Sequence, residues 1–97
     1  MSGTGNGKEQ TRAIRIINKR GLHARASAKF VEVVEGHDAS AEVEKDGMTV
    51  SGDSIMGLLM LAASRGTSIT VRTDGAEAEK LAHALAALVA DKFGEGY

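Results

Sequence analysis

Asp46-Gly47 stands between two alternating runs, and no other pair constrains this chain so tightly. Before it, Ala39, Ala41 and Val43 alternate with Ser40, Glu42 and Glu44; after it come Met48 to Ser51. A type I′ turn needs positive φ at both central residues, which Asp-Gly supplies, so the segment is predicted to be a β-hairpin. Each run has one apolar and one polar side, as in a sheet with one buried face. Two further strands are predicted. Arg12 to Ile17 carries Ile14 and Ile16 on one side and Arg15 on the other, and Thr67 to Thr73 carries Ile69 and Val71 inward.

Elsewhere the period changes from two to nearly four. Ala24 to Glu35 lines Ala26, Phe30, Val33 and Val34 along one side of a helix that Gly36 ends. Ser54 offers an N-cap to a short helix running to about Ser64. A long helix from Ala76 to Phe93 carries the stripe Ala78, Leu81, Ala82, Leu85, Leu88 and Val89, with Gly94 past its end. The order is βαββαβα, a two-layer α+β domain with a four-stranded, mainly antiparallel sheet and helices over its buried face. One domain is expected over residues 12–93, between a disordered Gly-, Ser-, Thr- and Asn-rich tail at 1–11 and a short C-terminal tail at 94–97.

Composition narrows the function. The 97 residues contain no Cys, which removes disulfides, thiolate metal sites and Cys nucleophiles. The balance of 12 Lys+Arg against 13 Asp+Glu argues against a general nucleic-acid partner, and no strand carries the Phe or Tyr that would stack RNA bases. The apolar run Ile55 to Ala63 is far short of the ~20 residues that span a bilayer, so a cytoplasmic chain without membrane insertion is expected. His37 and His83 read as surface residues. With His23 they have no metal-ligand spacing, so no metal site is expected.

The chemistry concentrates at Gly21-Leu22-His23-Ala24-Arg25. No acidic residue lies between Glu9 and Glu32, while Arg12, Arg15, Lys19, Arg20, Arg25 and Lys29 supply half of the 12 basic side chains. A solvated basic face would explain this on composition alone. Position sharpens it, because His23 falls where a loop ends and a helix begins. An anion there would meet the unpaired first amides of the helix, Ala24, Arg25 and Ala26, and the guanidinium fork of Arg25. His is also a poor N-cap, and a local rule broken at a helix start points to function. His23 is the candidate nucleophile.

The short helix is the second unusual segment. Ile55, Met56, Leu59 and Met60 cover one side and Leu58, Leu61 and Ala62 nearly the opposite one. Either the helix is deeply buried or its spare side docks a partner, a role that Met suits because it adapts. Ser54 is either a plain N-cap or also a site where a phosphate would be tolerated.

Gly21-Leu22-His23-Ala24-Arg25 followed by Ser54-Ile55-Met56-Gly57 resembles the HPr family, the histidine phosphocarriers of the bacterial phosphotransferase system. The resemblance covers about Thr11 to Phe93. It implies an open-faced β-sandwich with three helices on one side of four antiparallel strands. It implies that His23 accepts a phosphoryl group on Nδ1 from enzyme I and passes it to IIA-type proteins, with Arg25 contacting the phosphate. Ser54 matches the serine that an HPr kinase/phosphorylase modifies in some bacteria. Ile55, Met56 and Leu59 match the docking helix, with Arg20 and Lys29 as further docking residues. Such a protein is a carrier, consumed and regenerated, with no cofactor and no small-molecule turnover of its own, and a monomer is expected. Ala26 departs from the family, which usually has Pro there. The run Arg25 to Phe30 resembles the nitrogen-type branch, so sugar transport and nitrogen regulation both stay open. The competing reading is a regulatory α+β domain that binds a small molecule and transfers no phosphate.

Overall fold

The computed structural model describes residues 9–97. Its elements are β1 (Gln10–Arg15), α1 (Ala24–Glu35), β2 (Ser40–Lys45), β3 (Met48–Ser51), α2 (Ile55–Met60), β4 (Ser68–Asp74) and α3 (Ala78–Ala90), then a 3₁₀ turn at Lys92–Gly94. The first eight residues of the expected tail lie outside the described residues, and β1 starts at Gln10, inside the stretch read as tail.

The four strands form one antiparallel sheet in the order β1-β4-β2-β3. Register places Ile14 opposite Ile69, and Val43 between Val71 and Val50, so apolar side chains stack on one face. Those inward residues join the buried core with Phe30 and Val34 of α1, Leu58 of α2, and Leu81, Leu85 and Val89 of α3. The other face is polar. Its middle row runs Thr11, Arg72, Glu42 and Ser51, and Arg72 Nη1 donates to Glu42 Oε1 at 2.8 Å. Among the described residues no aromatic side chain lies in a strand. Asp46 and Gly47 take φ of 52° and 84°, the two positive values that the hairpin turn requires.

Four expectations are corrected. The sequence pattern puts the first strand at Arg12 to Ile17. Its ladder with β4 runs Gln10–Arg15, and Ile16 then bonds the loop ahead of β4, its N–H donating to Thr67 O and its C=O accepting from Gly66 N–H, each at 2.8 Å. In α1, Val31 is buried and Val33 only partly so, because the helix tilts its buried stripe toward Ser27 and Val31. Helix α2 ends at Met60, not Ser64, since Ala62 turns left-handed at φ 51°. The last helix stops at Ala90, not Phe93: Lys92 and Phe93 both take φ 55° and reverse the chain. Phe93 is still fully buried, so this reversal is anchored in the core.

Candidate functional site

Helix α1 starts at Ala24 with His23 as its N-cap residue, in an extended conformation at φ −75° and ψ −178°. The first helical hydrogen bond is Ser27 N–H to His23 O at 2.8 Å, so the amides of Ala24, Arg25 and Ala26 have no partner in the helix. The His23 side chain does not cap them either. Arg25 is exposed and pairs with no carboxylate among the described residues. The residues expected to form an anion site thus share one helix end.

The loop before the helix is fixed by its neighbours. Gly21 sits at φ 64°, and a Cβ on it would lie 2.3 Å from Ala63 O. Leu22 N–H donates to that same Ala63 O at 2.9 Å, which ties the His23 loop to the exit of α2. Ser27 Oγ donates to Leu22 O from inside the core.

Two residues of the site were not foreseen. Asn18 is fully buried and donates through Nδ2 to Gly21 O at 2.9 Å and to Glu95 Oε1 at 3.1 Å. Glu95, read as part of a tail, turns its other oxygen, Oε2, to the Nε2 of His23. The imidazole is 15% exposed and the carboxylate 6%. Burial raises the Glu95 pKa, but hydrogen bonds from Asn18 and His23 and the charges of His23 and Arg20 outweigh it, leaving the net value below the ordinary carboxylate range. An ionised carboxylate only accepts, so the Nε2 that faces it is the donor, and in the neutral imidazole the lone pair then lies on Nδ1. No group among the described residues bonds Nδ1.

Around this pair runs a C-terminal strap. Lys29 Nζ donates to Phe93 O at 2.7 Å, and Lys19 N–H donates to Tyr97 O at 3.2 Å. Lys29, grouped with the docking residues from its sequence position, thus holds its own chain. Arg20 is exposed. His37 Nδ1 bonds Val33 O, which accounts for it locally. Among the described residues no three His, Asp or Glu side chains gather as metal ligands. No helix there is long and apolar enough to cross a membrane.

Helix α2 resolves its two apolar sides. Leu58 and Leu61 enter the core, while Ile55, Met56 and Met60 are 40%, 69% and 64% exposed and Leu59 lies between. Ser54 caps the helix, its Oγ accepting from Gly57 N–H at 3.0 Å.

Residues 10–91 match the family described as "PTS HPr component phosphorylation site". The chain belongs to the HPr family. It is similar to the phosphocarrier protein HPr of Neisseria meningitidis, 49% identical over 84 residues, which cover 87% of this chain and 94% of that one. The HPr of Cupriavidus necator is 46% identical over 81 residues, 84% of this chain and 91% of the other. Among solved structures, HPr from Thermoanaerobacter tengcongensis superposes with a TM-score of 0.85 at 38% identity, covering 89% of this chain and 97% of its own. HPr membership agrees with the open antiparallel sheet and three helices, and it does not favour the small-molecule-binding alternative.

Proposed function

We propose that His23 is the phosphoryl acceptor of this phosphocarrier, loaded by enzyme I and unloaded by IIA-type proteins. The observation that carries the reading is the division of labour on one imidazole. Glu95 occupies Nε2, and Nδ1 has no partner among the described residues, at the helix end whose first amides are unpaired in the helix and where Arg25 pairs with no described carboxylate.

The Nδ1 lone pair forms the new N–P bond while the bond from phosphorus to the donor breaks and its electron pair leaves with the donor. Little covalent work falls to the protein, so positioning and charge stabilisation dominate. The amides of Ala24, Arg25 and Ala26, with the Arg25 fork, suit the phosphoryl oxygens. Positive charge develops on the ring as Nδ1 gives up its pair, and the Glu95 carboxylate at Nε2 offsets it. Passing the group on requires that the phosphorylated state not be held too tightly, because only differential stabilisation accelerates transfer.

The chain acts as a stoichiometric carrier in the cytoplasm rather than as an enzyme, and it needs no cofactor. Ile55, Met56 and Leu59 form the docking face, with Arg20 adding charge, and Ser54 is a regulatory phosphorylation site for an HPr kinase/phosphorylase. The exposed methionines of α2 support the docking role. Incubation with phosphoenolpyruvate and an enzyme I is expected to add one acid-labile phosphate, lost in His23→Ala. Undiminished labelling of His23→Ala overturns the assignment.

A further inference from the structure

The chain leaves α3 and takes three successive left-handed residues, Lys92 and Phe93 at φ 55° and Gly94 at φ 76°. Two of the three carry side chains, and such residues persist in this conformation only where their surroundings hold them. Two anchors do so. The Phe93 ring is fully buried, and its carbonyl accepts from Lys29 Nζ at 2.7 Å. The fit is close, since a Cβ on Gly94 would lie 3.2 Å from that Nζ. Directly after the reversal comes Glu95, whose two oxygens meet Asn18 and His23.

We propose that Lys29 is a positioning residue for phosphoryl transfer, a latch whose ammonium holds the left-handed reversal at Phe93 and so keeps Glu95 on Nε2 of His23. The inference rests on the reading of His23 as acceptor. Lys29 lies in the second turn of α1 and its ammonium is spent on the strap, so its effect on transfer runs through Glu95. Without the ammonium, the Phe93 carbonyl loses its donor and only the buried ring still fixes Phe93 to the domain.

The test compares Lys29→Met, Lys29→Arg, Glu95→Ala and the double variant Lys29→Met/Glu95→Ala in the full chain. Transfer from an enzyme I charged by phosphoenolpyruvate is measured against carrier concentration, and the imidazole Nε2–H proton of His23 is followed by NMR. Lys29→Met should lower the maximal rate about tenfold, short of the roughly 10²-fold that a misplacement of about 1 Å at the reacting group can cost, with KM unchanged. Its Nε2–H signal should broaden by exchange with water, as in Glu95→Ala. Lys29→Arg should restore both, and the double variant should be no slower than Glu95→Ala. A rise in KM alone with the Nε2–H signal intact makes Lys29 a docking lysine and overturns the latch. Absence of phosphate on wild-type His23 overturns the acceptor reading, and the latch's role in transfer with it.

Discussion

Asn18 Nδ2 donates to Glu95 Oε1 at 3.1 Å although 77 positions separate the two residues. The same nitrogen holds Gly21 O, so one buried amide joins the loop before His23 to the strap that reaches its imidazole. Replacing Asn18 by Leu leaves both acceptors without their donor. The expected loss is about 1–3 kcal/mol of stability. A thermal melt should fall by several degrees. An unchanged melting temperature would mean that the strap does not depend on this amide.

Acid should release the strap before it unfolds the domain. The Glu95 carboxyl titrates below its ordinary value, so its contribution is fully present above the unfolded pKa and is lost as pH falls through the lower folded pKa. The amide of Lys19, bonded to Tyr97 O, reports on the strap. Its NMR shift should move through that acidic window in the wild type and stay flat there in Glu95→Gln.

Ser54 separates capping from charge. Ser54→Ala removes the oxygen that accepts from Gly57 N–H and should cost about 1 kcal/mol. Ser54→Asp keeps an acceptor at the helix start, so stability should hold. Its negative charge, however, adjoins Ile55 and Met56, and half-maximal transfer from enzyme I should need about tenfold more carrier, or about 1.4 kcal/mol. Equal transfer by Ser54→Asp and wild type would remove the regulatory reading.

Ala26→Pro tests the helix start itself. Ala26, third in the helix, precedes the first helical donor, Ser27, so a ring in this first turn breaks no helical bond. Entropy lost from the unfolded chain favours Pro by about 0.4–1 kcal/mol, against crowding at a fully buried position. The variant is expected to fold with circular dichroism like the wild type's. Loss of helical signal would misplace the first turn.

Ala62 takes φ 51°, where a Cβ costs roughly 1–2 kcal/mol. Glycine removes that strain but loses about 0.4–1 kcal/mol of unfolded-state advantage. The strain is the larger quantity, so Ala62→Gly should raise the denaturation midpoint slightly. A clear fall would show that the Ala62 methyl packs.

What the sequence disclosed follows the range of the interactions. The Asp46-Gly47 turn, the alternating strands and the His23 helix start depend on neighbours a few residues apart, and pattern reads those. Helix α2 was legible only in part: its two apolar sides left open whether it is deeply buried or keeps one side outside, and Met56 and Met60 lie outside. Glu95 and Asn18 were hidden, since polar residues 77 positions apart carry no shared period. The reversal after Ala90 was hidden for a second reason. Left-handed backbone is ordinarily marked by glycine, and here Lys92 and Phe93 adopt it.

The closeness of Gly21 to Ala63 has a mechanical meaning. Backbone touches backbone there, and Leu22 N–H is bonded across the same gap, so no side chain cushions the two loops. Helix α2 and the imidazole are therefore registered to each other like the jaws and stop of a jig. On the proposed docking role, a partner seated on Ile55 and Met56 would meet His23 at a fixed offset, with no search.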